Sequence, residues 1–381
     1  MQSKKIAFIF AFPIRTNPML ITMPFGLNVI TLLDQMGYEV DIYLGEYRND
    51  SYNNLFSSRV KVHFLDHNFL WPKEGMQSYL ALTSYFKYLS AFKLRNQYGY
   101  IFGTGMAGIT LAGILKSWNK NAKFIYMNDE FPVQGKMNIW VRSEIKNAKS
   151  ADIVCTPDEF RFEPLSKQIK SLSNKKHFTL PNTPLKEEVR ELETVNWHEY
   201  FNIDQNKKLF LMAGGLQDFN MTPELLGSLI NWPEEAVLII KGKYEVSDFQ
   251  DKYRELLTRD NVILTSENMS PEKLHSLIEY CSCSFCLYSP INDNLKYVGK
   301  SSGKLMRSVL LGTPVIVNQC ESFQFVEDLN LGVSINDTLT IPDAVQKIID
   351  RHKEYSDSCK SNYDSISFEH YWTQFQNEIF H

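Results

Sequence analysis

Short β-branched or aromatic runs alternate with longer amphipathic segments along almost the whole chain, and this alternation limits the possible folds most. Candidate strands are IAFIFAF (6–12), EVDIYL (39–44), VKVHFL (60–65), YIF (100–102), KFIYM (123–127), DIVC (152–155) and HFTL (177–180). Between the first two, Leu27, Ile30 and Leu33 recur at helical spacing, with Gly37 as a stop. Strand–helix alternation of this kind implies parallel sheets covered on both faces. Around 181–207 the pattern lapses into a polar, charged stretch that suits an interdomain connector. A second series follows: KLFLMA (208–213), AVLIIK (236–241), NVILT (261–265), CSCSFCLY (281–288) and PVIVN (314–318).

The chain thus reads as α/β, with two doubly wound, Rossmann-like domains in tandem. The expected bounds are 1–185 and 186–365, with a helix at about 366–381 crossing back onto the first domain. With 381 residues, each domain can bury its own core. The 44% hydrophobic and 22% charged composition is that of a soluble globular protein. A net charge of −4 gives no reason to expect nucleic acid as a partner. Six cysteines without a regular framework read as reduced thiols in a cytosolic protein. The apolar run 6–12, broken by Pro13, is too short for a membrane span, and no small-residue cleavage site follows it.

The stretch GKSSGKLMRSVLLGTPVIV (299–317) almost spells a phosphate-binding P-loop. Gly299 and Gly303 are one residue too close, and Leu305 stands where a magnesium-binding hydroxyl is needed. The ingredients of an anion site remain. Ser302 can cap a helix whose apolar stripe is Leu305, Met306, Val309 and Leu310, with Gly312 as its stop. The amides of Gly303 and Lys304 would then point outward with the helix dipole behind them, and Lys304 adds a full charge. Read alone, the same residues equally describe a plain capped helix with a surface lysine.

In context the segment resembles the second domain of GT-B glycosyltransferases, particularly the retaining, nucleotide-sugar-dependent kind. SSGKLMRSVLLGTPVI stands where that family has a serine-rich loop, a helix and a PVI strand. MAGGLQ (212–217) resembles its glycine-rich turn near the donor diphosphate, and LIIKGK (238–243) the following strand with a basic exit. SADIVCTPDEF (150–160), TLPNTP (179–184) and LLDQMGYEVDIYL (32–44) resemble parts of its first domain. The resemblance implies two domains facing a cleft, a nucleotide-sugar donor as substrate without a further cofactor, and no metal. It implies donor contacts at Gly214, Gly215, Lys241, Lys243, Asp293, Ser301, Ser302, Gly303, Lys304 and Arg307. The family's two glutamates, with seven residues between them, fall in register on Gly299 and Arg307, neither of them acidic; Asp293 is the nearest carboxylate in the preceding loop. A histidine often found where NDEFP (128–132) stands is missing too, leaving Asp129 and Glu130 as acceptor-side or catalytic candidates. The implied acceptor is a glycan, a lipid-linked sugar or a small molecule, with the enzyme in the cytoplasm or at the inner face of the membrane, serving surface glycan synthesis.

Four other features compete. Gly103, Gly105 and Gly108 form a GxGxxG after YIF, and Asp129 follows 21 residues later, as a dinucleotide site requires. The triplet reads alternatively as a tight turn with close helix–sheet packing, or as an acceptor-facing loop, because a dinucleotide fingerprint usually opens the first strand–helix unit. Arg15, just after the first strand, is either a phosphate-side or a solvated arginine. Cys281, Cys283 and Cys286 lack the second ligand pair of a zinc site and read as small apolar residues of a buried strand. The aromatic-rich stretch 69–92 reads as helix packing. A catalytically silent binding protein of the same fold would account for the missing acids.

Overall fold

The computed structural model describes residues 4–12, 19–20, 23–52, 54–65, 98–132, 137–189, 192–214, 218–242 and 253–380. Arg15, Gly215, Lys243 and the aromatic stretch 69–92 lie outside the described residues. The chain divides into two compact units, Met1–Leu180 and Pro181–His381.

The first unit is built on strands β1 (Lys5–Phe10), β2 (Glu39–Leu44), β3 (Val60–Phe64), β4 (Tyr100–Thr104), β5 (Lys123–Met127), β6 (Ile153–Thr156) and β7 (Lys176–Thr179). They form one sheet in the order β3-β2-β1-β4-β5-β6-β7, with every pair parallel. Central strands covered on both faces must be apolar at successive positions, and Ile6 to Phe10 are all fully buried. The helix Pro24–Gln35 starts with proline at its first position, where the missing N–H leaves no bond unmade.

The second unit holds β8 (Lys208–Ala213), β9 (Ala236–Lys241), β10 (Val262–Thr265), β11 (Cys283–Cys286), β12 (Val315–Asn318) and β13 (Gly332–Ile335). Its sheet runs β10-β9-β8-β11-β12-β13, again all parallel. In its core Phe210 meets Trp232 edge to face and Trp232 stacks on Phe285, with ring centroids 5.5 and 5.6 Å apart. The polar stretch after Pro181 is anchored here: Trp197 is fully buried against Leu209, Ile239 and Leu277, and its indole N–H meets Ser276 Oγ at 3.2 Å.

Each sheet reverses its winding once, between β1 and β4 in the first unit and between β8 and β11 in the second. In open α/β sheets the crevice beyond the strand ends at that reversal is where ligands bind. Among the described residues, no helix is long and apolar enough to cross a membrane.

Candidate functional site

The second unit assembles its features at the C-terminal edge of the sheet. Gly214 directly follows β8, with φ of 120° and no described atom within 4 Å of where a Cβ would stand. An L-residue is strained at that φ, so backbone geometry alone calls for glycine, and among the described residues nothing crowds the position. The Gly214 N–H donates to Lys241 O at 3.0 Å, tying the turn to the end of β9. The Lys241 side chain is half-buried, and its charge reaches Glu267, which is already paired with Lys273 at 2.7 Å. The loop leaving β11 is joined to the loop after β8 by Ser289 N–H donating to Phe219 O at 2.8 Å.

A helix connecting two parallel strands begins at the same edge, and Gly303–Leu310 does so between β11 and β12. Its apolar stripe sinks Leu305, Met306 and Val309 fully into the core, each worth on the order of 2 kcal/mol relative to exposure. Ser302 caps it: Leu305 N–H donates to Ser302 Oγ at 3.3 Å. The amides of Gly303 and Lys304 find no partner among the described residues, and both residues are partly exposed. These are the free donors a helix N-terminus offers to an anion. The Lys304 ammonium rests 4.4 Å from the centre of the Tyr288 ring. Burial pulls its pKa below the ordinary lysine value, opposed by the nearby Cys286 thiol.

Sequence reasoning gave the two serines more to do than their geometry shows. Ser301 Oγ closes a local turn on Val298 O, and Ser302 Oγ is taken by the cap and by the Tyr288 hydroxyl at 2.7 Å. Their service is to shape the turn. Arg307 is largely sunk in the helix packing, within electrostatic reach of Glu188 and His275: burial lowers its pKa, and attraction to Glu188 opposes the shift. Asp293 opens an exposed one-turn helix, Asp293–Lys296, capped by Asn292. Two residues the sequence did not single out matter here. Tyr288 touches both Ser302 and Lys304; Asn182 donates its amide to Lys300 O at 3.0 Å and packs on Gly303. Tyr288 carried a positional signal, a large aromatic two residues beyond β11; Asn182 carried only its place in TLPNTP, a stretch matched to the family's first domain and not to this site.

Cys281, Cys283 and Cys286 lie buried in and beside β11, and burial pushes the Cys286 thiol up to about 12. They act as small apolar core residues.

In the first unit, Gly103, Gly105 and Gly108 follow from packing. A Cβ on Gly103 would come within 2.6 Å of Ala112 Cβ, one on Gly105 within 2.5 Å of Ala11 O, and one on Gly108 within 2.7 Å of Ile9 O. The Gly108 amide donates to Ala11 O at 2.9 Å. The backbone leaving β1 thus fills the space a cofactor pyrophosphate would need, and of the readings left open by the sequence the tight turn fits.

Past β5, Asp129 is half-buried and Glu130 exposed. Burial raises the Asp129 pKa to about 6, helped by the charge of Glu130 and opposed by Arg161. Arg161 donates to Asp129 O at 2.9 Å and lies over the Phe131 ring at 4.7 Å, so the loop is pinned from β6's side. Such a carboxylate exchanges protons near neutrality, as a general base must.

No protein-family model matches the sequence, and no curated protein does. Solved structures match it over nearly its full length. Sucrose-phosphate synthase from Thermosynechococcus elongatus superposes with a TM-score of 0.73 at 13% identity, covering 98% of this chain and 97% of that one. HepE of Anabaena in complex with UDP gives 0.70 at 10% identity, covering 98% of both. WaaG, a glycosyltransferase involved in lipopolysaccharide biosynthesis, gives 0.65 at 12% identity, covering 98% of this chain and 99% of that one. At such identities the likeness establishes architecture. With its parallel sheets of seven and six strands, the chain has the GT-B glycosyltransferase fold.

Proposed function

We propose that this protein is a glycosyltransferase moving a sugar from a nucleotide-sugar donor to an acceptor hydroxyl. The observation that carries the reading is the pair of amides at Gly303 and Lys304 that find no partner among the described residues, beside the Lys304 ammonium, on the helix that follows β11 at the winding reversal of the second sheet. The likeness to HepE, solved with UDP and with UDP-glucose, supports a nucleoside diphosphate sugar as the donor.

The chemical difficulty is departure of a nucleoside diphosphate while positive charge grows at the anomeric carbon. Fixed N–H donors and cations facing the diphosphate lower that barrier, and loss of one such donor commonly costs about 3 kcal/mol. Gly303, Lys304, Lys241 and the open Gly214 turn supply that counter-charge in our reading, with Gly215 and Lys243 assigned to the same group from sequence. We assign the counter-charge to these groups and not to a divalent ion. Transfer with retention follows the family resemblance: a departing phosphate oxygen takes the acceptor proton on the same face. Asp129 and Glu130 belong to the acceptor side, with Asp129 as base if the reaction inverts. A cytoplasmic role in surface glycan synthesis fits this chemistry.

One observation favours a second reading. Gly299 and Arg307 replace the expected glutamates, so neither expected carboxylate is there to meet the donor. A silent protein would bind donor without turning it over. Release of nucleoside diphosphate from UDP-, GDP- and TDP-sugars, with and without glycan acceptors, separates the two. Turnover supports transfer; donor binding with no release under any acceptor supports the silent form; no binding rejects both.

A further inference from the structure

Tyr288 lies two residues past β11, in the loop that leaves the second sheet at its winding reversal. Its amide donates to Asn318 Oδ1 at 2.8 Å, which fixes its backbone to the end of β12. Phe323 packs against its ring at 6.2 Å between centroids. On the other side the ring carries the Lys304 ammonium at 4.4 Å, and the hydroxyl reaches Ser302 Oγ at 2.7 Å.

Both attachments act on the same helix start. A serine cap hydroxyl free to rotate can turn toward water; hydrogen-bonded to Tyr288, it stays under the Leu305 amide, and the cap persists. No carboxylate pairs with the Lys304 ammonium among the described residues. A carboxylate would hold the lysine and also cancel its charge toward an incoming anion. An aromatic face attracts the ammonium through its quadrupole and leaves the net charge whole. The arrangement holds a cation in place without neutralising it.

We infer that Tyr288 is a positioning residue for a diphosphate-bearing ligand: its ring seats Lys304 and its hydroxyl fixes Ser302, so that the ammonium and the Gly303 and Lys304 amides meet one anion. This rests on the nucleotide-sugar reading, and the test keeps the two apart. Titration calorimetry of the full chain with UDP, and separately with inorganic pyrophosphate, is run on wild type, Tyr288→Leu, Lys304→Ala and the double variant, with far-UV dichroism checking the fold. Each single substitution is expected to weaken UDP binding roughly ten-fold, and the double variant to lose clearly less than the product of the two, because the ring acts through the lysine while only the hydroxyl's share, through Ser302, is left to add. Wild-type affinity in Tyr288→Leu, or losses that multiply in the double variant, overturns the inference while leaving the donor reading intact. The same coupling seen with pyrophosphate, in a protein that ignores UDP, keeps the inference and overturns the donor reading. Wild type that binds neither anion overturns both. If Tyr288→Leu does not fold, Tyr288→Phe and Ser302→Ala decide: their losses must fail to add, since the hydroxyl acts through the serine, and additive losses overturn the inference.

Discussion

The Tyr126 hydroxyl donates a 2.6 Å hydrogen bond to Glu144 Oε1, with both side chains sealed inside the first unit. Burial raises the Glu144 pKa from 4.5 to about 7, opposed by that bond. The folded state therefore binds a proton more tightly than the unfolded one. Stability is full below about pH 4.5 and falls as pH rises toward 7, by up to roughly 3 kcal/mol. Glu144→Gln, which keeps a hydrogen-bonding oxygen without the charge, should melt several degrees above wild type at pH 8 and close to it at pH 4.5. Equal melting temperatures at pH 8 would contradict this.

Asp129 titrates near 6 under the same influence of burial, with Glu130 adding to it. If it serves the acceptor side as a base, the transfer rate should climb as pH passes 6 and level off above 7. Asp129→Asn should lower turnover by about a hundred-fold or more and remove that limb. A pH profile unchanged by the substitution would take Asp129 out of the chemistry.

Gly108 sits where a Cβ would press within 2.7 Å of Ile9 O and 3.0 Å of Ala11 N. Gly108→Ala should destabilise the first unit by about 1–3 kcal/mol, read from the urea midpoint. UDP affinity below the transition should stay at the wild-type value. Quenching of nicotinamide fluorescence by the wild type would contradict the packing role.

Gly214 has no close neighbour among the described residues, so alanine there is felt through its φ of 120° and through whatever ligand comes close. A stability loss of about 1 kcal/mol is expected from the backbone alone. Donor affinity should fall at least ten-fold if the diphosphate approaches this peptide. Unchanged affinity would remove Gly214 from the site.

Much of the fold was legible in the sequence, because buried parallel strands read as unbroken apolar runs. KLFLMA, AVLIIK and EVDIYL coincide with β8, β9 and β2 residue for residue. β13 escaped notice: GVSI opens on Gly332, whose Cβ would collide with the Val315 carbonyl, and contains a serine, so composition hides a strand that close backbone approach creates. The Ser302 cap was legible because capping is local, fixed by a hydroxyl three residues from the amide it serves. The partners of the site's charged groups were not. Tyr288 lies 16 residues before Lys304, and Glu188 lies 119 before Arg307; only folding brings them together. The turn in which the Ser301 hydroxyl donates to Val298 O is likewise a choice that spacing alone does not reveal.

The central claim is that the start of the helix Gly303–Leu310 holds a donor diphosphate. It is tested most directly by thermal shift of wild type and Lys304→Ala against UDP-, GDP-, TDP- and CMP-sugars. One nucleotide class should raise the wild-type melting temperature by several degrees, with the shift largely lost in Lys304→Ala although that variant melts normally without ligand. An identical ligand-induced shift in both proteins, or none with any nucleotide sugar, would contradict it.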